Sequence, residues 1–148
     1  MLPEPPRSNP GRAAPLPERK SEPIIKEFGK AIGLDEFNAD VTAAHLVSEW
    51  QAGRLPHLDL EGRFKNETQE RFFKLGYWFI DGVTSLPEHV LPLNSQQGFS
   101  FIIELGFILD KLLVGDGSRR SLSAAQSFLR DFMYDRDLEK FRAGISKL

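Results

Sequence analysis

The stretch GFSFIIELGFILDKLLV, Gly98 to Val114, is the most apolar in the chain, and its reading decides the fold. Ser95 stands before it as a helix cap and Gly115 after it as a stop. It falls short of the roughly 20 residues a membrane span needs. It also contains Glu104, Asp110 and Lys111, and each charge near the middle of a span costs about 2.5–3.5 kcal/mol on insertion scales. The segment therefore reads as a central core helix over about 96–114. On a helical wheel Phe101, Leu105, Ile108, Leu109 and Leu112 form one apolar face, and Phe99, Ile103, Phe107 and Val114 form a second on nearly the opposite side. A helix apolar on two faces is either enclosed by its own domain or shared with a partner.

Helical spacing recurs on both sides of this segment. Ile24, Ile25, Phe28 and Ile32 define a first helix beginning near Pro23, capped near Ser21 or Glu22 and ending before Gly33. Asp40 is a cap for a second helix, whose inner face is Ala43, Leu46, Val47 and Trp50 and whose stop is Gly53. Asn66 and Gln69 have capping-box spacing, so a third helix is expected from about Glu67 to Asp81. Gly76 lies in the middle of its apolar face, where glycine costs about 1 kcal/mol of propensity. A second helix crossing close by explains it best. Ser121 or Ser123 caps a fifth helix facing inward with Leu122, Ala125, Leu129, Phe132 and Met133. Leu138, Phe141, Ile145 and Leu148 point inward only if the chain breaks between Tyr134 and Asp137, which makes a sixth helix. The expected fold is all-α: a compact array of five or six helices around the central one, with one helical domain over 23–148.

Ahead of it, seven of the ten prolines fall within the first 23 residues, where Leu16 is the only large apolar residue between Leu2 and Ile24. Residues 1–22 read as a disordered proline-rich tail, because so little apolar surface cannot offset the entropy of ordering. Pro3-Glu4-Pro5-Pro6-Arg7 and Pro15-Leu16-Pro17-Glu18-Arg19 are incomplete matches to polyproline ligands. Residues 1–23 hold four cations and three acids, so a whole-chain net charge of −2 leaves the rest at −3. That balance argues against nucleic acid, which is bound through a net basic surface.

Known chemistries lack their residue sets. With no cysteine in the chain, thiol nucleophiles and zinc-thiolate sites are excluded, and a reducing, cytoplasmic setting is expected. His45, His57 and His89 stand far apart without ligand spacing, so no metal and no cofactor is expected. His57-Leu58-Asp59 and Glu88-His89 are isolated fragments, and His45 reads as a half-buried structural histidine. Asp131 and Asp135 share a helical face with interleaved Arg130, Arg136 and Lys140, the pattern of a solvated, locally paired surface. Gly115-Asp116-Gly117 follows a helix and not a strand, so it builds no phosphate loop. Arg119 and Arg120 at the mouth of the fifth helix make a modest anion site.

Two surfaces remain. One is the second stripe, Phe99, Ile103, Phe107 and Val114. The other is Trp78, expected on the charged side of the third helix beside Arg71 and Lys74, either as an interface anchor or packed locally beneath a loop or under those two cations. The functional expectation is a non-enzymatic protein-interaction module, an adaptor, regulator or inhibitor working on a protein partner or as a homo-oligomer. A small enzyme or apolar-ligand domain with a Phe-lined cavity is the alternative, in which a buried Glu104 would supply polarity. A helical DNA-binding regulator using Gln69, Glu70, Arg71 and Lys74 is the minor one.

Overall fold

The computed structural model describes residues 16–54, 64–81, 83, 86–115 and 117–148, with side chains from Ser21 onward. Six α-helices carry these residues: α1 (Leu16–Ile32), α2 (Glu36–Gln51), α3 (Glu67–Ile80), α4 (Gln96–Gly115), α5 (Arg119–Phe132) and α6 (Asp135–Ile145). A single 3-10 turn, Glu88–Val90, precedes α4, and no strand occurs among the described residues. No helix among them is long and apolar enough to cross a membrane.

The most extensive interface joins α3 to α4, and α4 also packs against α5 and α1. It comes closest where both helices carry glycine. A Cβ on Gly76 would overlap the Ile102 carbonyl and stand 3.0 Å from the Gly106 nitrogen, and one on Gly106 would overlap the Phe72 carbonyl. The two backbones are in direct contact, as the placement of Gly76 predicts. Phe72 opposite Gly106, Gly76 opposite Ile102 and Arg71 opposite Asp110 make the pair antiparallel.

Phe28 of α1 is a second hub. It is fully buried, with ring centroids 6.2 Å from Phe79 of α3, 5.9 Å from Phe128 of α5 and 5.8 Å from Phe141 of α6. One side chain thus connects four helices into a single apolar core.

Several helix starts differ from the sequence expectation. α1 begins at Leu16 and carries Pro23 within it, so the expected tail from Leu16 to Glu22 is helical; residues 1–15 lie outside the described residues. Tertiary contact outweighs the proline penalty. Buried Ser21 donates its hydroxyl to the Leu112 carbonyl at 3.2 Å and the Leu113 carbonyl at 3.4 Å. Those carbonyls belong to the last turn of α4, where a helix runs out of its own amide donors. Asp35, not Asp40, caps α2, accepting from the Asn38 amide at 2.7 Å. Asp40 instead lies 3.8 Å from Lys26. Ser118, not Ser121 or Ser123, caps α5, so Arg119 and Arg120 occupy its first turn. Asn66, Ser95 and the break near Tyr134 stand where the sequence puts them. Gly33 at φ 119° and Gly53 at φ 75° end α1 and α2 in the left-handed conformation that favours glycine.

A three-pointed ion pair fastens α1 to α2. Glu36 receives Lys26 at 2.8 Å and Lys30 at 3.1 Å. The hydrogen bond from Lys26, then that from Lys30, holds the Glu36 carboxyl below the usual glutamate range. A lowered carboxylate pKa stabilises the fold above the unfolded value and ceases to do so as pH falls through the folded one. NMR titration should therefore find the Glu36 midpoint below the ordinary value of about 4.3, and Lys26→Met should raise it. An ordinary midpoint in the unsubstituted chain contradicts the pairing.

The glycine contact makes a stronger demand. Gly106→Ala gains about 1 kcal/mol of helix propensity, yet its methyl has to displace the backbone of α3. The net expected loss is about 3 kcal/mol by urea unfolding, at the upper end of overpacking costs. Unchanged or increased stability would show that the helices do not meet there.

Candidate interaction surface

The second stripe of α4 divides in two. Phe99 and Ile103 are half-buried against the core, Phe99 lying 5.0 Å from Phe73 and 5.8 Å from Phe64 between ring centroids. Phe107 and Val114 are 37% and 65% exposed. The antiparallel register explains the division. Counting outward from Phe72 opposite Gly106, α3 starts at Glu67 and is used up near Lys111, so Val114 extends beyond it. Phe107 keeps one edge-to-face contact with Phe72 at 5.4 Å, and the Lys111 ammonium sits 4.9 Å over its ring.

This open end of α4 faces the start of α5 across an open depression of 280 Å³ lined by Phe107, Asp110, Lys111, Val114, Ser118 and Arg120. Two candidates that look unrelated in sequence, the apolar stripe and Arg120 of the anion pair, are thereby brought together. The acid in the wall, Asp110, is held by Arg71 at 2.7 Å. Among the described residues no acid stands within ion-pair distance of Lys111, Arg119 or Arg120.

Trp78 is not part of this surface. It is half-buried against the core, and the His45 ring lies 5.1 Å from it at 36°. His45 itself is exposed, not half-buried as its spacing on α2 suggests. Lys74 pairs with Glu70 at 2.9 Å, and Arg71 is committed to Asp110. The cations of α3 that a DNA-reading helix would offer are thus already engaged.

The remaining sequence candidates do not converge. His89 is tied by its Nε2 to the Phe132 carbonyl at 2.9 Å, on the wall of a 410 Å³ depression that also includes Gln96, Gln97, Ser100 and Asp131. His57 and Asp59 lie outside the described residues. Glu104 is exposed and lines neither depression. The core phenylalanines are packed on one another, Phe101 on Phe128 at 5.4 Å and Phe128 on Phe132 at 5.0 Å. Among the described residues no three His, Asp or Glu side chains come together as metal ligands would. Asp131 pairs with Arg130 at 3.3 Å and Glu139 with Arg142 at 2.9 Å, as the interleaved charges predict.

Phe37 and Val41, absent from the sequence candidates, are 73% and 50% exposed on the outer face of α2. Their signal is visible: spaced i, i+4, they stand opposite the inner residues Ala39, Ala43 and Leu46. Here they form a short exposed apolar strip.

A scan against protein-family models finds no match, and searches of curated proteins and of solved structures likewise find no similar chain. The site must therefore be argued from its own geometry.

Packing gives Trp78 and Phe37 opposite roles. Trp78→Ala should destabilise the fold by about 2 kcal/mol, below the cost of a fully buried Trp. Phe37→Ser should stay within about 0.5 kcal/mol. Thermal and urea unfolding of the two variants checks the pair, and a neutral Trp78→Ala would return Trp78 to the surface.

Proposed function

We propose that this chain is a non-enzymatic protein-interaction module, acting as adaptor, regulator or inhibitor through the surface where α4 outruns α3. One observation carries the reading: Phe107 and Val114 stand open to solvent in a concave site whose rim is cationic. Isolated exposed apolar residues are ordinary. An aromatic and a branched aliphatic on one helix edge, beside a depression and ringed by polar groups, make the composition of an interface core with its rim. Arg71–Asp110 forms one side of that rim and is already ordered, so little side-chain entropy is lost there on binding.

The reading asks nothing of a catalytic group. His45 and His89 lie on separate elements, His89 bonded to the Phe132 carbonyl, and the depression holds two serines whose hydroxyls serve the start of α5.

Phe107→Asp is the test. Because the ring is partly exposed, the variant should remain folded by circular dichroism and lose no more than about 1–2 kcal/mol of stability. Immobilised chain should capture a partner that Phe107→Asp loses and Phe37→Ser retains, with light scattering reporting whether that partner is a second copy. Loss with Phe37→Ser and retention with Phe107→Asp would move the interface to α2.

A further inference from the structure

We propose that the partner presents an acidic peptide segment bearing a large apolar side chain, which seats on Phe107 and Val114 while its carboxylates meet Lys111, Arg119 and Arg120. This rests on the interaction reading above and adds the chemistry of what is bound.

Charge is set here against an apolar centre. The chain as a whole carries −2, yet the lining of this depression is cationic on balance. The depression is lined by Lys111 and Arg120 together with one acid, Asp110, to which Arg71 is paired. Among its lining residues two cations thus stand against one acid. Arg71 neutralises Asp110, so the acid in the wall does not repel an incoming carboxylate. Arg119 and Arg120 occupy the first turn of α5, whose amino end favours negative charge. Guanidinium forks match carboxylates in two parallel hydrogen bonds, which gives direction as well as attraction.

Between these cations the contact is apolar. Phe107 has Phe72 on one side and the Lys111 ammonium over its ring, while the rest of its edge and most of Val114 face the depression. A purely ionic ligand would leave that surface wet, and a purely apolar one would bury cations without partners. An acidic segment with Leu or Phe among its carboxylates satisfies both. Nucleic acid fits less well, since its affinity comes from many phosphate contacts and this rim supplies few cations around an apolar middle.

Fluorescence anisotropy on the full chain tests the assignment with three labelled probes: a peptide of three Asp-Asp-Leu-Phe repeats, the same peptide with Lys for each Asp, and an oligothymidylate of similar length. The acidic peptide should bind at least tenfold more tightly than the other two, and should weaken as salt screens the charges. Arg119→Glu combined with Arg120→Glu should lower that affinity at least tenfold. Both positions are exposed and acids suit the first turn of a helix, so this variant should fold as well as the parent. Phe107→Asp should abolish binding. Equal affinity for the acidic and basic peptides, a preference for the basic peptide or the oligonucleotide, or no binding of the acidic peptide overturns the proposal. If Phe107→Asp still removes binding of charge-swapped peptides that bind equally, the acidic partner fails while the docking surface stands. If Phe107→Asp changes nothing, the docking surface itself fails.

Discussion

Gly76 on α3 and Gly106 on α4 allow two helices to touch backbone to backbone, and most of the architecture follows from that contact. Each glycine faces a carbonyl of the opposite helix, Ile102 for Gly76 and Phe72 for Gly106, in space where any Cβ would collide. Such an approach fixes the position of α3 along α4 more tightly than interlocking side chains do, because the contact has no rotamers to adjust. It fixes the flanks too. Phe73 is brought against Phe99 on one side, and Arg71 against Asp110 toward the end of the shared length.

The same register determines what remains open. The helices run antiparallel and α4 is longer, so its last turns project beyond α3, with Val114 uncovered and Phe107 at the boundary. The open apolar end is thus a consequence of the closest packed contact in the fold. At the other side of that end, Ser21 of α1 satisfies the terminal carbonyls of α4. This stiffens the last turn without covering its outer face.

Much of this could be read in the sequence, for reasons specific to particular residues. Gly76 signals a close crossing because a glycine in the middle of an apolar helix face has no local justification. Asn66 and Ser95 can be recognised as caps because each stands directly before a periodic apolar run. The helix starts that went astray, at Leu16, Asp35 and Ser118, depend on contacts distant in sequence or on a choice among several adequate caps. Pro23 looks like a boundary until Ser21 is seen to bond α4 some ninety residues away. The site was legible in pieces only. Phe107 and Val114 stand out on one wheel and Arg119 with Arg120 on another, but nothing local places the end of α4 against the start of α5. Trp78 is open to two readings for a related reason: its charged neighbours on α3 suggest solvent, and the His45 ring of α2, which lies beside it, cannot be placed from the sequence.

The most direct measurement of the central claim is the nuclear Overhauser spectrum of the folded chain across the α3–α4 contact. Glycine α-protons can approach one another, and those of the opposite helix, only when no side chain intervenes. Strong cross-peaks from the Gly76 α-protons to Gly106 and Ile102, and from the Gly106 α-protons to Phe72, are the predicted result. Absence of these peaks, with α3 and α4 connected only through their phenylalanine side chains, would contradict the backbone contact and the exposed end of α4 that depends on it.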